Sequence, residues 1–260
     1  MRKPCPSFPP PDDVNATIWR YMDLSIFLHL IDTSSLHFTR ADSLDDSFEG
    51  SLPKPNVELM QRSDEQRQDH IHEMNMKFGE TRKLSPYSEF MKELLTKQCV
   101  NCWHLNDYES QAMWKLYLKS DEGIAIRSTF KHLIGCFDKS PELLVSAGMV
   151  QYIDYETEFL RYSNIFVPIM HKRVSYKHEC ELRVVIISGE RNERGNACWT
   201  NAAFDERGKD VAIDVACLID EVILAPLTQP WFERLVNSIL EKLDYSIPVR
   251  RSSLADGPFS

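Results

Sequence analysis

The sequence predicts an α+β fold: a central mixed or largely antiparallel sheet, flanking helices and an inserted helical lobe. Short apolar runs of period two alternate with runs of helical spacing, which requires both element types. The connections between them are irregular, and several are too short for the crossover units of a doubly wound sheet. One long polar and charged segment, about residues 56–98, has apolar spacings that suit two helices and supplies the lobe. A chain of 260 residues can bury one sizeable core, so residues 16–260 are read as a single domain. Residues 1–15, rich in proline, are read as an extended or disordered lead-in.

In chain order, "ATIWRYM" (Ala16–Met22) predicts a strand and "DLSIFLHLIDTSS" a helix capped by Asp23 or Ser25. "SLHFTRADS" is a second strand, followed by the acidic loop "DSLDDSFEGSLP". After the lobe come the strand "CVNCWHL" and the amphipathic helix "DYESQAMWKLYLKS". That helix places Ala112, Met113, Leu116 and Tyr117 on one side, and Trp114 is expected to be buried against the sheet. "EGIAIRSTF" and "SAGMVQYIDY" return as strands, and "TEFLRYSNIFVPIMHKRVSY" reads as mainly helical with a break at Pro168. "YKHECELRVVIIS" (Tyr176–Ser188) is a strand throughout. "DVAIDVACLIDEVILAP" gives one or two strands, "QPWFERLVNSILEKL" a helix started by Pro230, and "IPVRRSSL" a short strand.

Composition narrows the function classes. A formal net charge of -9 argues against general nucleic-acid binding, which needs dense positive charge. No stretch approaches the roughly 20 apolar residues of a membrane span, so no membrane partner is expected. The opening "MRKPCPSFPPPDD" lacks the apolar centre of a secretion signal, and the seven scattered cysteines read as reduced thiols in a cytoplasm. Nine glycines, none in a phosphate-loop cluster, remove the usual nucleoside-triphosphate and dinucleotide folds, and no glycine-flanked serine elbow is present.

Four patterns carry candidate chemistry. Glu179, Glu181 and Arg183 alternate along one strand, placing them on one face with Cys180, Leu182 and Val184 on the buried one. Two carboxylates about 7 Å apart could polarise a sugar hydroxyl or stabilise a cationic transition state. The structural alternative is an ion-pair network on a half-buried strand. Arg20, beside Tyr21 in an apolar strand, could clamp a phosphate or pair with an acidic neighbour. Asp42, Asp45, Asp46 and Glu49 match no calcium-loop spacing and are read as a turn. Cys99 and Cys102 have a zinc-like spacing but only His104 nearby, so they are read as ordinary thiols on opposite sides of a strand, with no metal expected.

The motif order "WRYM", "SLHFTRADSLDDSFEG", "CWHLNDYESQAMWKLYLKSDEGIAI", "VQYIDY", "KRVSYKHECELRVV" resembles a bacterial family catalogued as domain of unknown function 2971, over about Trp19 to Leu254. More distantly, an early Arg-bearing strand, a helix, a second strand and a late Glu-x-Glu strand are similar to the plan of ADP-ribosyltransferases. That resemblance implies NAD as substrate and no tightly bound cofactor. It implies Arg20 holding the dinucleotide, Ser35 or Thr39 shaping the nicotinamide pocket, Glu181 as catalytic glutamate and Glu179 as its partner. The sequence departs from this plan at "SSLHFTR", which is no Ser-Thr-Ser strand, at Arg183, which can neutralise Glu181, and at the lobe. We expect Arg20 and Glu181 to line one concave pocket, with Tyr21 or Trp114 as a wall for a flat ring. The alternative function is a non-catalytic module that recognises a nucleotide or a protein partner there.

Overall fold

The period-two run Thr17–Asp23 forms β1, and the helical spacing that follows forms α1 (Leu24–Thr33). Ser34 ends α1 in a left-handed conformation (φ 49°) and turns the chain into β2 (Ser35–Arg40). The computed structural model describes residues 7–78, 87–118, 121–140, 143–161, 164–191, 197–200 and 202–257. Its lobe is α2 (Lys54–Phe78) and α3 (Tyr87–Thr96), and Gln98 already belongs to β3 (Gln98–Leu105). α4 (Gln111–Tyr117), β4 (Gly123–Thr129), α5 (Phe130–Gly135), β5 (Leu143–Met149) and β6 (Gln151–Ile153) follow. Next come β7 (His171–Arg173), β8 (Glu181–Arg191), β9 (Ala197–Trp199), β10 (Lys209–Ala212) and α6 (Val215–Leu218). β11 (Glu221–Leu224), α7 (Pro230–Lys242) and β12 (Val249–Arg251) are last.

The central sheet has the order β10-β2-β3-β1-β4-β11-β12, with β8 paired to β3 and carrying β5 and β9. Among the described residues only β11–β12 is parallel in it, so the class is α+β with a mixed, largely antiparallel sheet. β6 and β7 form a separate parallel pair. One sheet face presents Ile18, Ile124, Ile126, Leu182 and Val184 to Phe27, Leu30, Leu133, Phe232 and Val236 of the flanking helices. The other face holds Val100 and Val185 against Phe8, Ile169 and Met170. Among the described residues no helix is long and apolar enough to cross a membrane.

Trp114 is buried, in a cluster with Trp19, Tyr21, Met113, Ala125 and Ile223. Replacing it with alanine is expected to cost about 3 kcal/mol, from lost aromatic area and the cavity left behind. A urea melt of Trp114→Ala with an unchanged midpoint would contradict this.

Several sequence expectations need correction. Tyr176–Ser188 is not one strand: Val174–Glu179 is a 3-10 helix, Cys180 is left-handed (φ 40°), and the strand starts at Glu181. Glu179 is therefore not in strand alternation with Glu181, and Cys180 is exposed rather than buried. Among its described residues, the segment read as mainly helical before it holds no α-helix, only the 3-10 turn Pro168–Met170, β7 and the start of the 3-10 helix Val174–Glu179. Proline there stops a regular helix, and the apolar "FVPIM" instead packs as a turn beneath β8. In α4, Ala112, Leu116 and Tyr117 are exposed, because Met113 and Trp114 carry the buried contact. Of the lead-in, residues 1–6 lie outside the described residues, and Ser7 and Phe8 are buried. Phe8 is buried against β5, where a side chain on Gly148 would meet the Phe8 backbone at 2.6 Å. Met149 N donates to Pro9 O (2.8 Å) and Asn164 Nδ2 to Ser7 Oγ (2.6 Å).

Candidate functional site

The sheet forks at β3. β1 pairs with its end, Trp19 opposite His104, while β2 pairs with its beginning, Thr39 opposite Val100. Both lie on the β3 edge opposite β8, and neither pairs with Asn101, Cys102 or Trp103. Past Trp19, β1 stays with β4 and leaves β3. A cavity of about 570 Å³ opens in the gap, within the roughly 300–1,000 Å³ common for small-molecule sites. Arg20, the first β1 residue beyond the fork, lines it, as do Thr39, Cys102, Glu179 and Glu181.

Arg20 and Glu181 reach this cavity from different directions. Trp19, His104 and Glu181 stand in one cross-strand row and share a face. Strand alternation then sends Arg20 off the opposite face, toward that of Ile18 and Met22. The fork, by separating β1 from β3, lets both line the same space. No carboxylate pairs with Arg20 among the described residues, and its Nη1 is buried without a hydrogen-bond partner. Burial pushes the guanidinium's pKa down, an effect that Cys102 and Tyr117 oppose only in part.

Across the cavity, five charged side chains interlock. Lys172 Nζ lies 2.6 Å from Glu179 Oε2, 3.1 Å from Glu181 Oε2 and 3.3 Å from Glu49 Oε1. Arg183, fully buried, donates from Nε to Glu181 Oε1 (2.6 Å), from Nη1 to Ile169 O (2.6 Å) and from Nη2 to Glu49 Oε2 (2.5 Å). Burial alone would raise the Glu181 pKa, but Arg183 and Lys172 outweigh it and hold the carboxyl down at about 2. Burial acts against the charge of Lys172, yet Glu181 and Glu49 raise its pKa overall, so the amine stays protonated. Both oxygens of Glu181 and of Glu49 are occupied. Glu179 is engaged through Oε2 alone, and its Oε1 accepts no hydrogen bond among the described residues.

The backbone between the two glutamates is pinned. His104 Nδ1 donates to Glu179 O (2.6 Å) while its Nε2 accepts from Asn106 Nδ2 (3.3 Å). Leu105 N donates to Cys180 O (2.9 Å), and Glu181 N to the Tyr152 hydroxyl (2.8 Å). The left-handed Cys180 thus turns Glu179 back so that both carboxylates meet Lys172.

Tyr21 and Trp114 are packed rather than open. The Tyr21 ring lies edge-on to Trp114 at 4.8 Å, and its hydroxyl accepts from Ser110 N (2.9 Å), which fixes the start of α4. Tyr21 borders the cavity; Trp114 stands behind it, bonded through Nε1 to Glu109 Oε2 (3.4 Å). Tyr117 and Tyr176 line the cavity and are more exposed.

The acidic loop is a turn with assigned partners. Asp42 pairs with Arg40, Asp46 with Arg173, and Glu49 joins the buried cluster. Among the described residues no group of His, Cys, Asp and Glu converges as a metal site. Cys99 sits in the core on one side of β3 and Cys102 at the cavity on the other.

Lys172, Glu49 and Tyr176 were not singled out for the site from sequence. A lysine in a run read as helical gave no signal, and Glu49 looked like one more loop acid. A scan against protein-family models finds no match for this chain, and a search of curated proteins finds none either.

Proposed function

We propose that the cavity at the fork is a nucleotide site and that the protein uses NAD, releasing or transferring its ADP-ribose. The observation that carries this reading is Arg20: a guanidinium whose buried Nη1 has no partner among the described residues, on the wall of a ligand-sized cavity. An unmet buried donor costs about 1–3 kcal/mol, and a phosphate oxygen is the natural group to relieve it. Opposite it, ionised carboxylates suit the ribose end. There the bond from C1′ to the nicotinamide nitrogen breaks, the electron pair leaves with nicotinamide, and positive charge builds on the sugar. Water or an acceptor nucleophile then bonds to C1′ and gives up its proton to a Glu179 oxygen or to solvent. Glu181 is held ionised and cannot donate a proton; Glu179, with one oxygen unpartnered among the described residues, is the carboxylate able to face the sugar. Membership of the domain of unknown function 2971 family belongs to the same proposal and rests on the motif order in the sequence; Arg20, Tyr21, Glu179, Glu181 and Arg183 of those motifs line the cavity.

A second reading, a non-catalytic module that binds a nucleotide or a protein partner, is favoured by one feature: both Glu181 oxygens are already taken by Arg183 and Lys172. Incubation with NAD, with released nicotinamide measured by chromatography, separates the two. Release that drops at least tenfold in Glu179→Gln supports the enzyme. Binding of NAD without release supports the module, and absence of both rejects the nucleotide site.

A further inference from the structure

Resting on the nucleotide reading above, we propose that the cavity selects ligands carrying a cationic group as well as an anionic one, with Glu179 setting that preference. The charges around the cavity are separated. Among the described residues that line the cavity, Arg20 on β1 is the cation without a carboxylate partner. On the β7–β8 side, the carboxylates of Glu49, Glu179 and Glu181 outnumber Lys172 and Arg183 by one negative charge. Asp46 adds nothing to that excess, because Arg173 pairs with it at 2.8 Å, whereas Asp45 lines the same cavity from an exposed position. The acid excess is also directed. Glu181 and Glu49 spend both oxygens on Lys172 and Arg183, so the oxygen without a partner among the described residues belongs to Glu179. A purely anionic ligand would gain at Arg20 and be repelled at Glu179 and Asp45. One with a separate positive group gains at both ends.

Oxidised and reduced NAD test this, since they share the pyrophosphate and differ by one positive charge on the nicotinamide ring. A unit charge about 10 Å from a carboxylate, at an effective dielectric near 20, changes affinity by on the order of tenfold. Calorimetric titrations at 4 °C and low salt should therefore show oxidised NAD binding about tenfold tighter than reduced NAD. In Glu179→Gln the two should come within about twofold, through weaker binding of the oxidised form alone. High salt should narrow the wild-type gap as well. If both forms bind the wild type equally, the charge-selection proposal fails while the nucleotide site stands. If neither binds, the nucleotide reading fails and takes this proposal with it. The wild-type comparison needs no variant, so a poorly folded Glu179→Gln would not remove the test.

Discussion

Arg183→Met should lower the stability of the fold by about 4–5 kcal/mol, the upper part of the range for breaking a buried ion pair. Arg183 is fully buried and serves two carboxylates and the Ile169 carbonyl, so its loss strands Glu49 and Glu181 beside a single lysine. For a chain of this size the melting temperature should fall by roughly 8–20 °C. Replacing the partner too, in Glu181→Leu/Arg183→Met, should recover part of the loss, because the uncompensated buried charge goes with it. A double variant no better than the single one would mean that lost packing, not charge, sets the cost. Acid should act on the same cluster. The folded-state pKa of Glu181, about 2, lies below its ordinary value of 4.5. Its contribution is present above about pH 4.5 and is lost as pH falls toward 2, for up to about 3 kcal/mol. Urea melts across that window should show the decline in the wild type and a shallower one in Arg183→Met.

Arg20→Met should act in the opposite sense on stability and function. Dinucleotide binding should weaken by about 10- to 100-fold, the scale expected when a charge-assisted phosphate contact is lost. The free protein should be as stable as the wild type or gain about 1–3 kcal/mol, because an unsatisfied buried donor has been removed. A purely structural arginine would give the reverse: a destabilised variant with unaltered binding. Thermal melts and calorimetry on one preparation decide between them.

The strands were legible where one face is apolar. "TIWRYM", "GIAIRST" and "LRVVII" announce themselves by β-branched and aromatic density, and Trp114 by its place in a short helix. What pattern could not show was the fork, because it depends on which strand pairs with which part of β3, a long-range choice that no local period encodes. The same limit hid the buried cluster. Glu181 and Arg183 look like the wet face of a strand, and only the arrival of Lys172 from β7 and Glu49 from the acidic turn makes their burial tolerable. Cys180 shows a different failure. A left-handed non-glycine residue in mid-segment has no sequence signature, so the turn that brings Glu179 back was read as continuous strand.

The central claim, a nucleotide site at the fork of the sheet, is tested most directly by a crystal structure of the protein soaked with NAD. We expect difference density in the cavity, with a pyrophosphate oxygen about 3 Å from the Arg20 guanidinium and the nicotinamide ribose beside Glu179. Density for the dinucleotide elsewhere on the molecule, with Arg20 still unpartnered and the cavity holding only water, would contradict the account.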